Sequence, residues 1–354
     1  MSKTYSMSVV GAGWGGHLSM TGASESDRFD LRAVADLSKE AAAKAKEKYP
    51  NIQIFTDSEQ MFKACPTDIV SIATWPPSHM PLTLAALALP LSGIIVEKPL
   101  SEQYADGKRL LDAIKAKNIP VAVPHNMLTA PHTLEILDRV WSGDIGDLKL
   151  LEIQCAGWDI INAGIHWLNF FVNLTKLEPI KYVHSAIDSH SRTWRDGMQV
   201  ETTAVTYAET ASGVRVVMQT GDYVNINAPG KDTLFRCIGT LGTIEFYGWE
   251  SAYRLINSQH PNGTLFQVAQ STKSGHQLHF ENLAAQIDSG TPNYDIAKSS
   301  LMALEMCEAA YLSGREGCIV NLPLTNFTSP PKPDWEPGQP YSGAGGGRDG
   351  RNLP

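Results

Sequence analysis

A chain of 354 residues, 43% hydrophobic and 19% charged, has room for two ordinary domains and the polarity of a water-soluble globular protein. Its formal net charge of −8 excludes the basic stripe that nucleic-acid binding needs, and no local run of Lys or Arg supplies one. No apolar stretch approaches the ~20 residues of a membrane helix. Five cysteines, odd in number and without a Cys-x-x-Cys pair, argue against a disulfide scaffold or a thiolate metal site. With neither a basic leader nor an apolar signal core ahead of the first strand, a cytoplasmic protein without metal is expected.

Ser6–Val10 reads as a strand that runs into Gly11-Ala12-Gly13-Trp14-Gly15-Gly16, a G-x-G-x-x-G turn before a helix. The first glycine permits the turn, the second lets a pyrophosphate approach the backbone, and the third lets helix and strand pack closely. The next strand, Leu31–Ala35, ends in Asp36, an acid placed to accept hydrogen bonds from an adenosine ribose. The same acid repels a 2′-phosphate and favours NAD, while Lys39 nearby keeps NADP open. Helices over Ser38–Tyr49 and Ser58–Lys63 follow, then a strand at Asp68–Thr74 and the turn Trp75-Pro76-Pro77-Ser78-His79.

Ile94–Glu97 is a short buried strand closed by Lys98-Pro99. The proline removes a backbone donor, makes a cis peptide inexpensive, and leaves Lys98 at a carboxyl strand end, where ligands of open parallel sheets bind. A helix over Tyr104–Lys117 and a strand at Val121–Val123 complete a βα alternation that predicts a parallel, doubly wound (Rossmann) α/β domain over residues 1–125.

The glycine fingerprint, Asp36, the Ala73-Thr74 turn with His79, and above all Glu97-Lys98-Pro99 resemble the glucose–fructose oxidoreductase/inositol dehydrogenase/MocA (Gfo/Idh/MocA) family. The resemblance implies a cis bond before Pro99 and a Lys98 that contacts the substrate hydroxyl. It gives as cofactor-binding candidates Gly11, Gly13, Trp14, Gly16, Asp36, Thr74, Trp75, His79, Glu97 and Lys98. It also implies that Asn162-Ala163-Gly164-Ile165-His166 stands where relatives carry Asp-x-Gly-x-His. Positions 162 and 166 share a helix face and can meet one substrate; the resemblance implies that Asn162 orients it and that His166 relays the hydroxyl proton. Asparagine there cannot carry the negative charge that raises the basicity of a histidine.

Residues 126–328 are expected to form an α+β domain with an open, largely antiparallel sheet: strands at Leu148–Gln154 and from Val200, and a hairpin at Gly239–Ile244. The resemblance implies that helices cover one sheet face and a second subunit the other, as a homodimer or homotetramer. His125 and Asn126, where relatives often carry an arginine nearby, are candidate substrate contacts, as is Trp158. Asp159, Trp194, Arg195 and Asp196 are weighed as pocket walls against plain surface residues. His276 and His279, heading a helix over Leu278–Ile287, read as core packing, as does the helix Ala297–Leu312. Residues 329–354, rich in Pro and Gly, read as an arm anchored by Trp335 and Tyr341.

The expected activity is an NAD-dependent transfer of hydride between the nicotinamide and a hydroxyl-bearing carbon of a sugar, cyclitol or glycoside. Two alternatives remain: a glycosidase or lyase that recycles tightly held NAD through a ketosugar, and a non-catalytic sugar or dinucleotide sensor.

Overall fold

Apolar runs that are buried from both sides build the first sheet. In the computed structural model, which describes residues 3–188 and 193–324 (the side chains of 193 and 194 excepted), the chain opens β1 (Tyr5–Val10), α1 (Trp14–Ser24), β2 (Phe29–Ala35), α2 (Lys39–Lys48), β3 (Gln53–Phe55) and α3 (Ser58–Ala64). It continues β4 (Ile69–Ile72), α4 (Pro76–Ala86), β5 (Gly93–Val96), α5 (Tyr104–Ala116) and β6 (Val121–Ala122). The six strands are all parallel, in the order β3-β2-β1-β4-β5-β6. The order reverses at β1, so the turns after β1 and β4 flank the switch point where such sheets bind ligands. Every residue of β4 and β5 is buried, as a sheet covered on both faces requires. Local caps fix the helix starts: the Ser38 hydroxyl accepts from the Ala41 N–H at 3.2 Å and Asp57 from the Gln60 N–H at 2.7 Å.

The chain goes on through α6 (Pro131–Trp141), β7 (Leu148–Ala156), a π-turn at Ile160–Gly164, α7 (Ile165–Leu174), β8 (Ile180–Ile187), β9 (Thr193–Arg195) and β10 (Met198–Val200). Then come β11 (Thr203–Thr210), β12 (Arg215–Gly221), β13 (Thr233–Gly239), β14 (Gly242–Tyr247), β15 (Ala252–Asn257) and β16 (Thr264–Gln267). It ends in α8 (Gly275–Ser289), α9 (Asp295–Glu316) and β17 (Val320–Asn321). A nine-stranded sheet forms in the order β16-β15-β14-β13-β7-β12-β11-β8-β17, antiparallel except where β12 pairs with β7. Its buried face carries an aromatic core in which the Phe235 and Phe246 rings stack at 4.6 Å and Trp167 meets Phe235 edge-on at 5.2 Å.

Two units result: residues 1–126 with 272–301, and 127–271 with the chain from Met302. The division therefore differs from a single boundary at 125/126. Phe280, Leu283 and Ala284 of α8 join the core beneath β1, and Ala297 and Leu301 of α9 join the other face of the first sheet. An apolar helix stripe announces that it will be buried without naming its partner, so the return of these helices is invisible in the sequence. The arm after residue 328, with Trp335 and Tyr341, lies outside the described residues. No described helix is long and apolar enough to cross a membrane, and the described residues hold no cluster of metal-ligating side chains.

Candidate active-site residues

The turn between β1 and α1 is shaped for a close approach. Gly11 has φ +99°, and a Cβ there would lie 2.4 Å from the Ala73 carbonyl oxygen. A Cβ at Gly16 would lie 1.9 Å from the Gly11 carbonyl oxygen, whereas one at Gly13 would meet nothing within 4 Å. Gly13 caps α1 without a side-chain hydrogen bond, and the first turn holds no acidic residue. The first-turn N–H groups and the helix dipole thus face open space, the arrangement that receives a phosphate anion. Asp36 is fixed beside them: one carboxylate oxygen accepts from Ala12 N–H at 2.6 Å and the other from Ser38 N–H at 2.7 Å. Each oxygen keeps a further lone pair for a ribose hydroxyl. Trp14 is 62% exposed on the first turn of α1, its ring 6.0 Å from that of His17.

The second group gathers at the carboxyl ends of β4 and β5. The Lys98-Pro99 peptide is cis. His79 is fully buried, its Nδ1 2.8 Å from the Pro99 carbonyl and its Nε2 2.9 Å from the Thr74 carbonyl. Burial pushes its pKa down against the pull of both carbonyls, so a neutral ring donates to one of them. His79 therefore ties the Thr74 turn to the Lys98 turn and does not face a ligand itself. The Thr74 hydroxyl accepts from Ser78 Oγ at 2.7 Å, and Trp75 caps α4.

Glu97 is buried and its Oε1 accepts from His276 Nε2 at 2.7 Å. Burial alone would raise this carboxyl, but the charge and hydrogen bond of His276, with Lys98 adjacent, hold it below the usual range. Because an ionised carboxylate only accepts, His276 Nε2 carries a proton toward Glu97, and Nδ1 lies 3.3 Å from the Asn126 carboxamide nitrogen. Asn126 is thus oriented by a chain that starts at the residue before Lys98. His125, a candidate substrate contact, is fully buried; its Nε2 lies 2.9 Å from Ser300 Oγ, and its carbonyl accepts from His279 Nε2 at 3.2 Å. Burial first, then the Lys98 charge, keeps it neutral. His276 was missed as a site residue. The signal was there, since two histidines three apart on the inward face of a helix need buried partners.

Asn162 lies in the π-turn before α7, and His166 in the first turn of α7, where an unbroken α-helix was expected. Single π-turns recur at functional sites. Asp159 organises this one: Oδ1 accepts from the Asn162 backbone N–H at 2.7 Å and from its carboxamide nitrogen at 3.0 Å, while Oδ2 accepts from Arg195 Nη1 at 2.8 Å. Asp159 and Arg195 are both fully buried. The guanidinium also lies over the Trp158 ring at 4.6 Å, so Trp158 is a wall of this cluster. Glu201 closes it, accepting from Ile160 N–H at 2.8 Å and from the Tyr311 hydroxyl at 2.7 Å. Burial and the Asp159 charge push its carboxyl up to about 8. The side chain of Trp194 lies outside the described residues. The His166 ring stands 6.2 Å from that of Trp249, a residue that pattern and motif gave no reason to select.

The oxidoreductase family with an NAD-binding Rossmann fold, Gfo/Idh/MocA, matches residues 5–125. Residues 5–125 thus resemble the NAD-binding part of that family. Its nucleotide unit is an NAD-binding Rossmann domain. The rhizopine catabolism protein MocA of Rhizobium meliloti is 25% identical over 195 residues, 50% of this chain and 59% of that protein. The match thus spans less than two thirds of that relative's length. By structure, aldose-aldose oxidoreductase from Caulobacter crescentus, complexed with glycerol, aligns with a TM-score of 0.77 at 20% identity over 90% of this chain and 100% of that one. Levoglucosan dehydrogenase, in complex with NADH and levoglucosan, aligns with a TM-score of 0.77 at 16% identity over 91% and 100%. At these identities the likeness shows a shared fold.

Proposed function

We propose that the protein is an NAD-dependent oxidoreductase that moves a hydride between the nicotinamide and a hydroxyl-bearing carbon of a sugar, cyclitol or glycoside. The observation that carries this reading is Lys98 at the carboxyl end of β5, next to a buried Glu97 that accepts from His276. NAD, when bound, supplies the hydride acceptor. The N–H groups at the start of α1 hold its pyrophosphate and Asp36 its ribose hydroxyls, which favours NAD over NADP. Lys98 fixes and polarises the reacting hydroxyl, as a point charge that carries three donors. His166 takes the hydroxyl proton as hydride leaves the same carbon. Asn162, its carboxamide nitrogen committed to Asp159, turns its oxygen to accept from the substrate. Thr74, Trp75 and Trp14 border the cofactor.

The curated MocA relative and the two sugar-active structural neighbours support a carbohydrate-like substrate. A panel of sugars, inositols and glycosides read by NADH absorbance tests it. Lys98→Ala and His166→Ala should each lose about a hundredfold or more in kcat, with NAD affinity little changed. The neutral Asn162 favours one variant of the reading, in which the hydride returns within a single turnover; that variant predicts product without accumulated NADH. As in the resemblance, a homo-oligomer formed through the open face of the nine-stranded sheet belongs to this proposal.

A further inference from the structure

Trp249 sits in the turn between β14 and β15, 49% exposed. An indole left half open is a large apolar surface, and this one is not loosely held. The Gly248 carbonyl accepts from His132 Nε2 at 3.0 Å, the Gly248 N–H donates to Thr233 at 3.0 Å, and the Glu250 N–H donates to Tyr247 at 2.9 Å. Glu250 also pairs with Lys231. Burial keeps His132 neutral, its hydrogen bond to Gly248 notwithstanding, so it has one N–H to give. Behind the indole, 5.6 Å away, stands the buried Trp167, itself wedged on Phe235. The ring thus has little rotamer freedom to lose on binding, as a recognition aromatic should. Its neighbour is His166, with ring centroids 6.2 Å apart and planes at 80°. An apolar plate and a proton acceptor meet at a right angle within one unit of the fold.

We propose that Trp249 is the platform for the C–H face of a ring-shaped substrate, and so the residue that makes this site favour a pyranose or cyclitol over an open-chain polyol. The inference deepens the reading above and rests on it in taking His166 as the proton acceptor. A pyranose or cyclitol presents axial C–H bonds on one face and hydroxyls around its rim. Laid on the indole, it buries the first and turns the second toward His166. An open-chain polyol has no such face and gains little from the plate.

The test compares wild type, Trp249→Phe and Trp249→Ala of the full chain, loaded with NAD, on glucose, myo-inositol and open-chain sorbitol. Trp249→Ala should raise KM for the preferred ring compound by about tenfold, the loss expected when one ring face is no longer buried. Its kcat should stay nearly unchanged, and Trp249→Phe should recover most of the affinity. Sorbitol kinetics should be the same in all three proteins. An equal loss for ring and open-chain compounds, an unchanged KM, or a changed particle mass in light scattering would overturn the proposal. Saturation-transfer NMR separates it from the hydride reading if wild type turns over none of the compounds. Transfer to ring protons that disappears in Trp249→Ala then upholds the platform without the chemistry. No transfer in wild type, or transfer unaltered in the variant, removes the platform as well.

Discussion

Asn162 shows how one side chain's chemistry is set by the next one inward. Where the resemblance implies a carboxylate, this chain has a carboxamide, and an acid stands three residues earlier as Asp159, bonded to both nitrogens of Asn162 and paired with buried Arg195. Removing one partner of a buried pair leaves the other charge stranded, at a cost of about 3–5 kcal/mol. Asp159→Asn should therefore lower the denaturant midpoint by that order, and Asp159→Leu with Arg195→Met should recover part of it. An unchanged midpoint in Asp159→Asn would show that the pair bears no stability. Glu201 gives a pH signature in the same cluster. Its folded pKa, about 8, lies above the unfolded carboxylate value, so the native protein keeps a proton that the unfolded chain releases. The stability linked to that proton is complete below the ordinary carboxylate range and is lost as pH rises through about 8. Thermal melts should fall across this window for wild type and stay flatter for Glu201→Gln; parallel curves would contradict the assignment.

At the scale of elements, the β1 turn separates a cofactor role from a packing role. Gly13→Ala adds a methyl into open space, so the melting temperature should hold while NAD affinity falls, by calorimetric titration. Gly16→Ala drives a methyl against the Gly11 carbonyl, so the fold itself should lose stability. Equal melting temperatures for the two variants would mean that the turn is not built as described. This turn was legible because strand, glycines, helix and Asp36 fall at fixed offsets along one local stretch. The Lys98 turn was legible for the same reason, down to its cis bond. The His276–Glu97 bond was not, since its partners are separated by 179 positions in the chain. Nor was the π-turn, which follows from Asp159 drawing both Asn162 nitrogens toward one oxygen.

At the scale of the whole molecule, alternation of strand and helix predicted the doubly wound sheet, and long strands predicted the largely antiparallel second one. Short strands such as β3, β16 and β17 escaped, because half or more of each is exposed, unlike the similarly short but wholly buried β4 and β5. The open face of the nine-stranded sheet presents Val205, 48% exposed, and the stacked Tyr182 and Tyr207 rings. If that face is the subunit contact, Val205→Lys should reduce the mass seen by light scattering relative to wild type, since a charge in an apolar contact is costly. A wild-type monomer would remove the oligomer from the account.

The most direct test of Lys98 and His166 as the catalytic pair is a rapid-mixing measurement with enzyme and NAD in excess over the best ring substrate. Wild type should give a first-turnover rise in NADH absorbance. The rise should be absent in Lys98→Ala and in His166→Ala, with NAD still bound in both. The same rise in either variant would contradict the account.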